Sequence, residues 1–303
     1  MAYKPSLTQL RYLIAVVREE HFGRAAEACF VAQPSLSSGL KELEDGLGVR
    51  LIERTKRKVV VTPLGADLAK RAEAILARVN GLVEAAQTAR SPLTGELRLG
   101  VIPTIAPYLL PKIMAPLRDA FPDLKLLLRE DQTERLLEDL TAGKQDALIL
   151  ALPWPLEAAR SQVFGQDRFF VAFPQGHRFS GLKEVPREAV AEENLLLLED
   201  GHCLRDHALS ACSLPPSMGT QGVQGTSLTT LVQMAANGYG ITLLPEMSID
   251  SGLLAGTGLQ VRPLAGETHS ISRDIGLVWR NTSGRTAEFQ QFTTFLGQTI
   301  IQS

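Results

Sequence analysis

The stretch Val31-Ala32-Gln33-Pro34-Ser35-Leu36-Ser37-Ser38-Gly39-Leu40-Lys41-Glu42-Leu43 decides how the head of this 303-residue chain folds. Pro34 belongs in the first turn of a helix, because proline lacks the N–H that an interior turn needs. From there Leu36, Leu40, Leu43 and Leu47 recur at the spacing of one inward helix face, and Gly48 ends the pattern. The outward positions are Gln33, Ser35, Ser37, Ser38 and Lys41, short polar groups that let a helix lie deep in a major groove and reach base edges. Upstream, Leu7, Leu10, Ile14 and Val17 mark a first helix over residues 7–19, and Gly23 to Phe30 give a short alanine-rich second one. With a turn at Val31-Ala32-Gln33, this is a helix-turn-helix. Cys29 is expected in its core, beside Ala25 and Ala26.

The next segment, residues 51–61, reads as a two-stranded wing whose tip carries Arg54, Lys56, Arg57 and Lys58, cations placed to meet phosphates. The bland alternative is a solvated charge run, but its position beside a helix-turn-helix favours DNA. Thr62 then caps a long helix with Pro63 at its first position. Along it Leu68, Ala72, Ile75, Val79, Leu82 and Ala86 alternate steps of four and three, the pattern of a coiled-coil seam, so a dimer is expected. A helix of some 28 residues makes a rod of roughly 42 Å.

Charge agrees with a nucleic-acid head on a different body. Residues 1–90 hold 14 Lys/Arg against 10 Asp/Glu, whereas residues 91–303 hold 17 against 23. With 45% hydrophobic and 21% charged residues the chain has an ordinary globular composition. No apolar run approaches the roughly 20 residues of a membrane span, and Met1 to Gln9 does not read as a signal peptide, so a cytoplasmic protein without membrane contacts is expected. Neither a Cys-x-x-Cys nor a His/Cys cluster of zinc-site spacing occurs, so no metal and no cofactor is called for.

Beyond a hinge at Ser91-Pro92-Leu93-Thr94-Gly95, strand-like runs over 96–102, 125–129, 147–151, 169–173, 195–198, 241–244 and 275–279 alternate with helical stretches, predicting α/β structure with largely parallel sheets. Within this body Gly201-His202-Cys203-Leu204-Arg205-Asp206-His207 leads to a second cysteine, Cys212. A thiol flanked by His202 and Arg205 at the start of a helix has features that stabilise a thiolate. If residues 204–211 are helical, the two thiols stand at opposite ends of two turns, and a disulfide, which needs Cα atoms within about 7 Å, requires that helix to unwind. Two buried and inert cysteines are the alternative. His207 is expected to be a solvated side chain.

The order Gln33-Pro34-Ser35-Leu36-Ser37, Leu43-Glu44, Leu47-Gly48, Arg54 and Thr62-Pro63-Leu64-Gly65 resembles the N-terminal module of LysR-type transcriptional regulators. The resemblance implies a winged helix-turn-helix that binds double-stranded DNA operators as a dimer through the linker helix, commonly within a homotetramer. It implies that Ser35, Ser37, Ser38 and Lys41 approach bases while Arg54 lies near the backbone. It also implies two Rossmann-like lobes, as in periplasmic binding proteins, with the chain crossing near residues 163–167 and returning near 266–273. The division expected is a DNA-binding domain over 1–62, linker helix and hinge over 63–94, and a regulatory domain over 95–303, with lobe I at 95–164 and 270–303 and lobe II at 165–269.

Within the family, the run from Gly201 to Asp206 with Cys212, Ile102-Pro103-Thr104, Pro107-Tyr108-Leu109-Leu110-Pro111, Gly240-Ile241-Thr242-Leu243-Leu244-Pro245 and Ile275-Gly276-Leu277-Val278 resemble the hydrogen peroxide-sensing OxyR subgroup. The resemblance implies that Cys203 is the peroxidatic cysteine and Cys212 the resolving one, with Thr104, Thr133, His202, Arg205 and Arg273 around the peroxide. It implies that oxidation to sulfenic acid and then to a disulfide refolds the intervening segment, promotes RNA polymerase recruitment at antioxidant genes, and is reversed by cytosolic thiol reductants. Pro215 and Pro216 depart from the pattern by stiffening the loop after Cys212. Two other readings compete: a LysR-type regulator of an ordinary metabolite, and a thiol peroxidase. The DNA-binding head favours a stoichiometric switch over an enzyme.

Overall fold

The computed structural model describes residues 3–54, 59–88, 92–215, 224–267 and 271–301. The chain forms two compact units, the first carried by the chain up to Ala86.

The first unit opens with α1 (Leu7–Glu19), whose bounds match the apolar spacing. Ser6 accepts from the Gln9 N–H and Gln9 returns a bond to the Ser6 N–H, a reciprocal cap that satisfies two of the helix's orphan donors. Then come α2 (Phe22–Ala28) and α3 (Gln33–Leu47). The second helix starts and ends earlier than the sequence predicts, because His21 caps it through the Gly23 and Arg24 N–H groups and Cys29 is already its C-cap. Cys29 packs against the core as expected but is half-buried rather than enclosed in it. Leu36, Leu40 and Leu43 are fully buried among Leu13, Val16, Ala25 and Ala26.

Leu47 is exposed, contrary to the inward face expected of it. The fourth inward place goes to Glu44, whose buried carboxylate accepts from the Leu51 and Ile52 N–H groups at 2.7 and 3.0 Å. A buried charge is tolerable there because it is hydrogen-bonded. Those N–H groups lead into β1 (Ile52–Arg54), antiparallel to β2 (Val59–Val61), so the expected wing hairpin is present.

Thr62 caps α4 (Pro63–Thr88) by accepting from the Gly65 N–H at 2.9 Å, and its hydroxyl donates to the Leu51 carbonyl at 3.0 Å. On α4, Ala69, Ala72 and Ala77 are buried and Leu68 and Val79 half-buried, while Ile75 and Leu82 stand 45% and 73% exposed. Ala86 of the expected seam lies outside the side chains described.

Among the described residues the second unit is a nine-stranded mixed sheet with helices packed on it. Its elements in chain order are β3 (Gly95–Val101), α5 (Ala106–Ala120), β4 (Leu124–Glu130), α6 (Thr133–Thr141), β5 (Ala147–Leu152), β6 (Ala159–Phe173) and α7 (Arg187–Val190). There follow β7 (Leu195–Leu198), α8 (Cys203–Ala211), β8 (Gln224–Gly225), α9 (Leu228–Ala236), β9 (Ile241–Pro245), α10 (Glu246–Asp250), β10 (Gln260–Pro263), β11 (Ser272–Arg280) and α11 (Thr286–Ile301).

Strands β4, β3 and β5 run parallel in one lobe, and β9, β7 and β8 run parallel in the other. Between them β11 and β6 pair antiparallel with each other, β11 antiparallel with β5, and β6 antiparallel with β9 and β10. The expectation of a largely parallel sheet is thus corrected to a mixed one. The reason is topological: one strand carries the chain out of the first lobe and another carries it back, so the two run in opposite directions.

Two hydrophobic cores follow from this. One lies around β3, β5, β11 and α5, and the other around β7, β9 and the end of β6. Helix α8 reaches both, with Cys203 in the first and Cys212 in the second.

Gly65 sits where a Cβ would overlap the Leu51 carbonyl oxygen, a backbone atom that cannot swing aside. Gly65→Ala is therefore expected to destabilise the first unit by about 1–3 kcal/mol, read by thermal or denaturant unfolding of its helical signal.

Candidate functional site

The site begins at the end of β7. Glu199 and Asp200 lead to Gly201, whose φ of +94° lies in the left-handed region and whose Cα faces the Gln132 side chain. His202 is the extended N-cap and Cys203 the first residue of α8, so the thiol meets the positive end of a helix dipole. Cys203 is 3% exposed.

Other elements bring their side chains to the same place. Thr133 opens α6, Thr104 precedes α5, and Arg273 comes from β11; all three are buried. The Arg273 guanidinium donates from Nε and Nη2 to Asp167 Oδ2 at 3.0 and 2.9 Å. Its Nη1 donates to the Thr104 hydroxyl and Nη2 to the Thr104 carbonyl, each at 2.9 Å. The remaining Asp167 oxygen accepts from the Met247 N–H in α10 at 3.0 Å. Because Thr104 Oγ1 already accepts from Arg273, its own proton is left to donate. Among the described residues the buried Thr133 hydroxyl makes no hydrogen bond of ordinary geometry, yet it stands close enough to the Cys203 sulfur to favour its thiolate.

Burial pushes the Cys203 thiol above its ordinary pKa of 9.0, and the Asp206 carboxylate adds to that; Arg273 and the Thr133 hydroxyl pull the other way. Cys203 therefore rests as a thiol. The sequence expectation that His202 and Arg205 hold a thiolate needs correction. Arg205 is buried with its Nε 2.9 Å from Asp200, and so ties down the turn before the helix. His202 is buried 3.9 Å from Glu199, and burial lowers its pKa, which leaves the imidazole neutral. The cation acting on the sulfur is Arg273, distant in sequence.

His207 also differs from expectation. It is half-buried, not solvated, with Nε2 3.4 Å from the Pro153 carbonyl, and burial and Arg273 both depress its pKa.

Cys212 caps the far end of α8 through its N–H to the Ala208 carbonyl at 3.2 Å. All three cysteines are free, and burial in the second core pushes the Cys212 thiol up to about 12 against the pull of Arg187. Nine residues of helix hold the two Cα atoms roughly 13 Å apart, nearly twice what a disulfide allows. Ser213 follows in the left-handed region, and the Leu214 N–H returns to the Leu209 carbonyl, closing the helix end. Pro215 is described; Pro216 lies outside the described residues.

Asp167 is the partner of Arg273 at the site that sequence reasoning missed. It sits directly opposite Arg273 in the register of β6 with β11, an opposite-charge cross-strand pair. Only strand pairing reveals it, because more than a hundred residues separate the two.

On the first unit, Gln33, Pro34, Ser35, Ser38 and Lys41 are exposed along α3, while Ser37 is half-buried. Arg54 belongs to β1, with its side chain outside the description, and Lys56, Arg57 and Lys58 lie outside the described residues.

Residues 7–66 match the family of bacterial regulatory helix-turn-helix proteins of the lysR type, and residues 90–300 match the LysR substrate binding domain. The chain is 42% identical over 306 residues to a probable hydrogen peroxide-inducible genes activator of Streptomyces viridosporus, covering 98% of this chain and 95% of that protein. Among solved structures it resembles a hydrogen peroxide-bound cysteine-to-serine mutant of OxyR from Corynebacterium glutamicum, with TM-score 0.68 and 37% identity over 100% of this chain and 94% of that one. It also resembles a full-length cysteine-to-aspartate variant of OxyR from Pseudomonas aeruginosa, with TM-score 0.76 and 34% identity over 98% of this chain and 95% of that one. The chain belongs to the LysR family of bacterial regulators, and within it to the hydrogen peroxide-inducible genes activators.

Removing one partner of the buried Arg273–Asp167 pair leaves an uncompensated charge. Asp167→Ala is expected to destabilise the second unit by about 3–5 kcal/mol, measured by denaturant unfolding. For Cys212 the sign follows from a folded pKa above the unfolded one. Its stabilising contribution is complete below about pH 9 and is lost as pH climbs toward about 12. Over that window the wild type is expected to lose stability more steeply than Cys212→Ala.

Proposed function

We propose that this protein is a DNA-binding transcription regulator that senses hydrogen peroxide through Cys203 and Cys212. The observation that carries the reading is the thiol at the start of α8 on which the buried Thr133 hydroxyl and the Arg273 guanidinium act, the guanidinium holding the buried Thr104 hydroxyl as well. A small, weakly acidic oxidant suits that set of donors. Hydroxyl donors orient it, and the guanidinium stabilises negative charge that develops on the departing oxygen.

In the first step the Cys203 sulfur attacks one peroxide oxygen, the O–O bond breaks, and the products are Cys203 sulfenic acid and water. In the second, the Cys212 thiol displaces water from that sulfenic acid to give the disulfide. The roughly 13 Å between the two Cα atoms means that α8 unwinds before this bond forms. Thr104, Thr133 and Arg273 are assigned to peroxide binding, while His202 and Arg205 hold the turn that presents the thiol.

The exposed face of α3, with Gln33, Pro34, Ser35, Ser38 and Lys41, is assigned to operator DNA, together with Ser37 and the wing residues Arg54, Lys56, Arg57 and Lys58. The apolar side chains left open on α4, Ile75 and Leu82, support a homodimer built on that helix, within a homotetramer. The division is read as DNA module 1–62, linker 63–94 and regulatory domain 95–303, the last with lobes at 95–164 plus 270–303 and at 165–269. The protein acts in the cytoplasm as a stoichiometric switch and not as an enzyme; it recruits RNA polymerase when oxidised and is reset by thiol reductants. Among the described residues no helix is long and apolar enough to cross a membrane.

The test is mass mapping of the reduced protein after a stoichiometric dose of hydrogen peroxide. A Cys203–Cys212 disulfide is expected, and Cys203→Ser abolishes it; thiols left unchanged at that dose overturn the reading in favour of a regulator of some other effector. Turnover of peroxide with a supplied reductant, independent of DNA, would mark an enzyme instead. On the DNA side, Lys41→Ala is expected to weaken operator binding by about 1–3 kcal/mol and to relax discrimination between operator sequences, measured by titration of the protein onto operator and variant duplexes.

A further inference from the structure

His207 lies one helical turn after Cys203 on α8, on the same face, where side chains four residues apart have Cβ atoms about 5–6 Å from each other. The Arg273 guanidinium that acts on the Cys203 sulfur acts also on His207, so both side chains share its surroundings. The ring's Nε2 faces the Pro153 carbonyl at 3.4 Å. A carbonyl oxygen only accepts, so the proton of a neutral ring resides on Nε2 and Nδ1 carries the lone pair. That Nδ1 is buried and, among the described residues, has no hydrogen-bond partner. An acceptor of this kind is costly to leave unsatisfied.

We propose that His207 Nδ1 is the proton acceptor for the Cys203 thiol during oxidation. The inference rests on the peroxide-sensing reading and supplies the step that reading lacks, since Cys203 rests as a thiol and a thiol is a poor nucleophile. As the sulfur lone pair forms the S–O bond, the thiol proton passes to His207 Nδ1. The O–O bond breaks, and the imidazolium returns its proton to the departing hydroxide, giving water. Sulfur loses two electrons, peroxide gains two, and His207 ends as it began.

The charged groups acting on His207 are Arg273 from β11, whose charge Asp167 of β6 partners, and Asp206 on its own helix, while Cys203 stands one turn before it by helical spacing. Burial and Arg273 outweigh the Pro153 carbonyl and Asp206 and hold the imidazole below the ordinary value of 6.5, so the acceptor is free at neutral pH. A glutamine at this position keeps the size and a hydrogen bond but accepts no proton.

The experiment compares full-length reduced wild type with His207→Gln, following Cys203 by mass with two probes, hydrogen peroxide and iodoacetamide, from pH 5 to 9. For the wild type both rates are expected to rise with pH along a limb centred below pH 6.5. In His207→Gln that limb disappears, and the peroxide rate at pH 7 falls about 100-fold. Equal rates and an unchanged limb in the variant overturn the assignment. A wild type that shows the alkylation limb, lost in the variant, but ignores peroxide leaves His207 as the thiol's proton acceptor and sinks the peroxide reading instead. Should the variant not fold, the imidazole nitrogen shifts of histidine-labelled wild type decide. A neutral ring protonated at Nε2 at pH 7 supports the assignment, and an imidazolium or a ring protonated at Nδ1 overturns it.

Discussion

The ion pair between Arg273 and Asp167 is the constraint on which the centre of the regulatory body depends. Strands β6 and β11 carry the chain between two cores, and this pair joins them face to face with both side chains buried. Through its other nitrogens Arg273 fixes both the hydroxyl and the carbonyl of Thr104 at the entrance to α5, and through its second oxygen Asp167 fixes the first turn of α10. Four elements are thus set by one salt bridge. Desolvating such a pair is costly, and well-packed hydrophobic residues often serve stability as well. A cation at this position is better explained by what stands beside it, the Cys203 sulfur.

The electrostatics of that sulfur are a balance with burial on the heavier side. A helix N-terminus, a hydroxyl and a guanidinium all favour negative charge, and the low-dielectric surroundings still keep the proton on. Such a site withholds the thiolate from random electrophiles. It offers stabilisation chiefly when charge appears on the oxidant, as preorganised donors do in a water-poor site.

Much of the fold was legible because it is written in local patterns. Apolar residues at three- and four-residue steps set the bounds of α1 and the buried face of α3, Thr62-Pro63 marked the start of α4, and two cysteines nine apart bracketed α8. What stayed hidden is non-local. The first half of β6 carries Ala-Arg-Ser-Gln and no apolar run, so nothing announces a strand until β11 pairs with it. Asp167 looks like any acidic residue before that pairing. Arg205 and His202 adjoin the cysteine in sequence, but side-chain direction sends Arg205 to the preceding turn. Glu44 takes a place that leucine spacing assigns to Leu47, because two backbone N–H groups wait there for an acceptor.

Helix α8 has one cysteine anchored in each of two cores, and its far end is closed by the Leu214 N–H and the left-handed Ser213. The chemistry at its first residue and the chemistry at its last are therefore separated by a local unfolding event. In a chain that oxidises at Cys203, the sulfenic acid persists for as long as the helix stays wound, however fast two sulfurs react once they meet. The helix acts as a timer, and its local stability sets how long the first oxidised sulfur stays open to capture by other thiols.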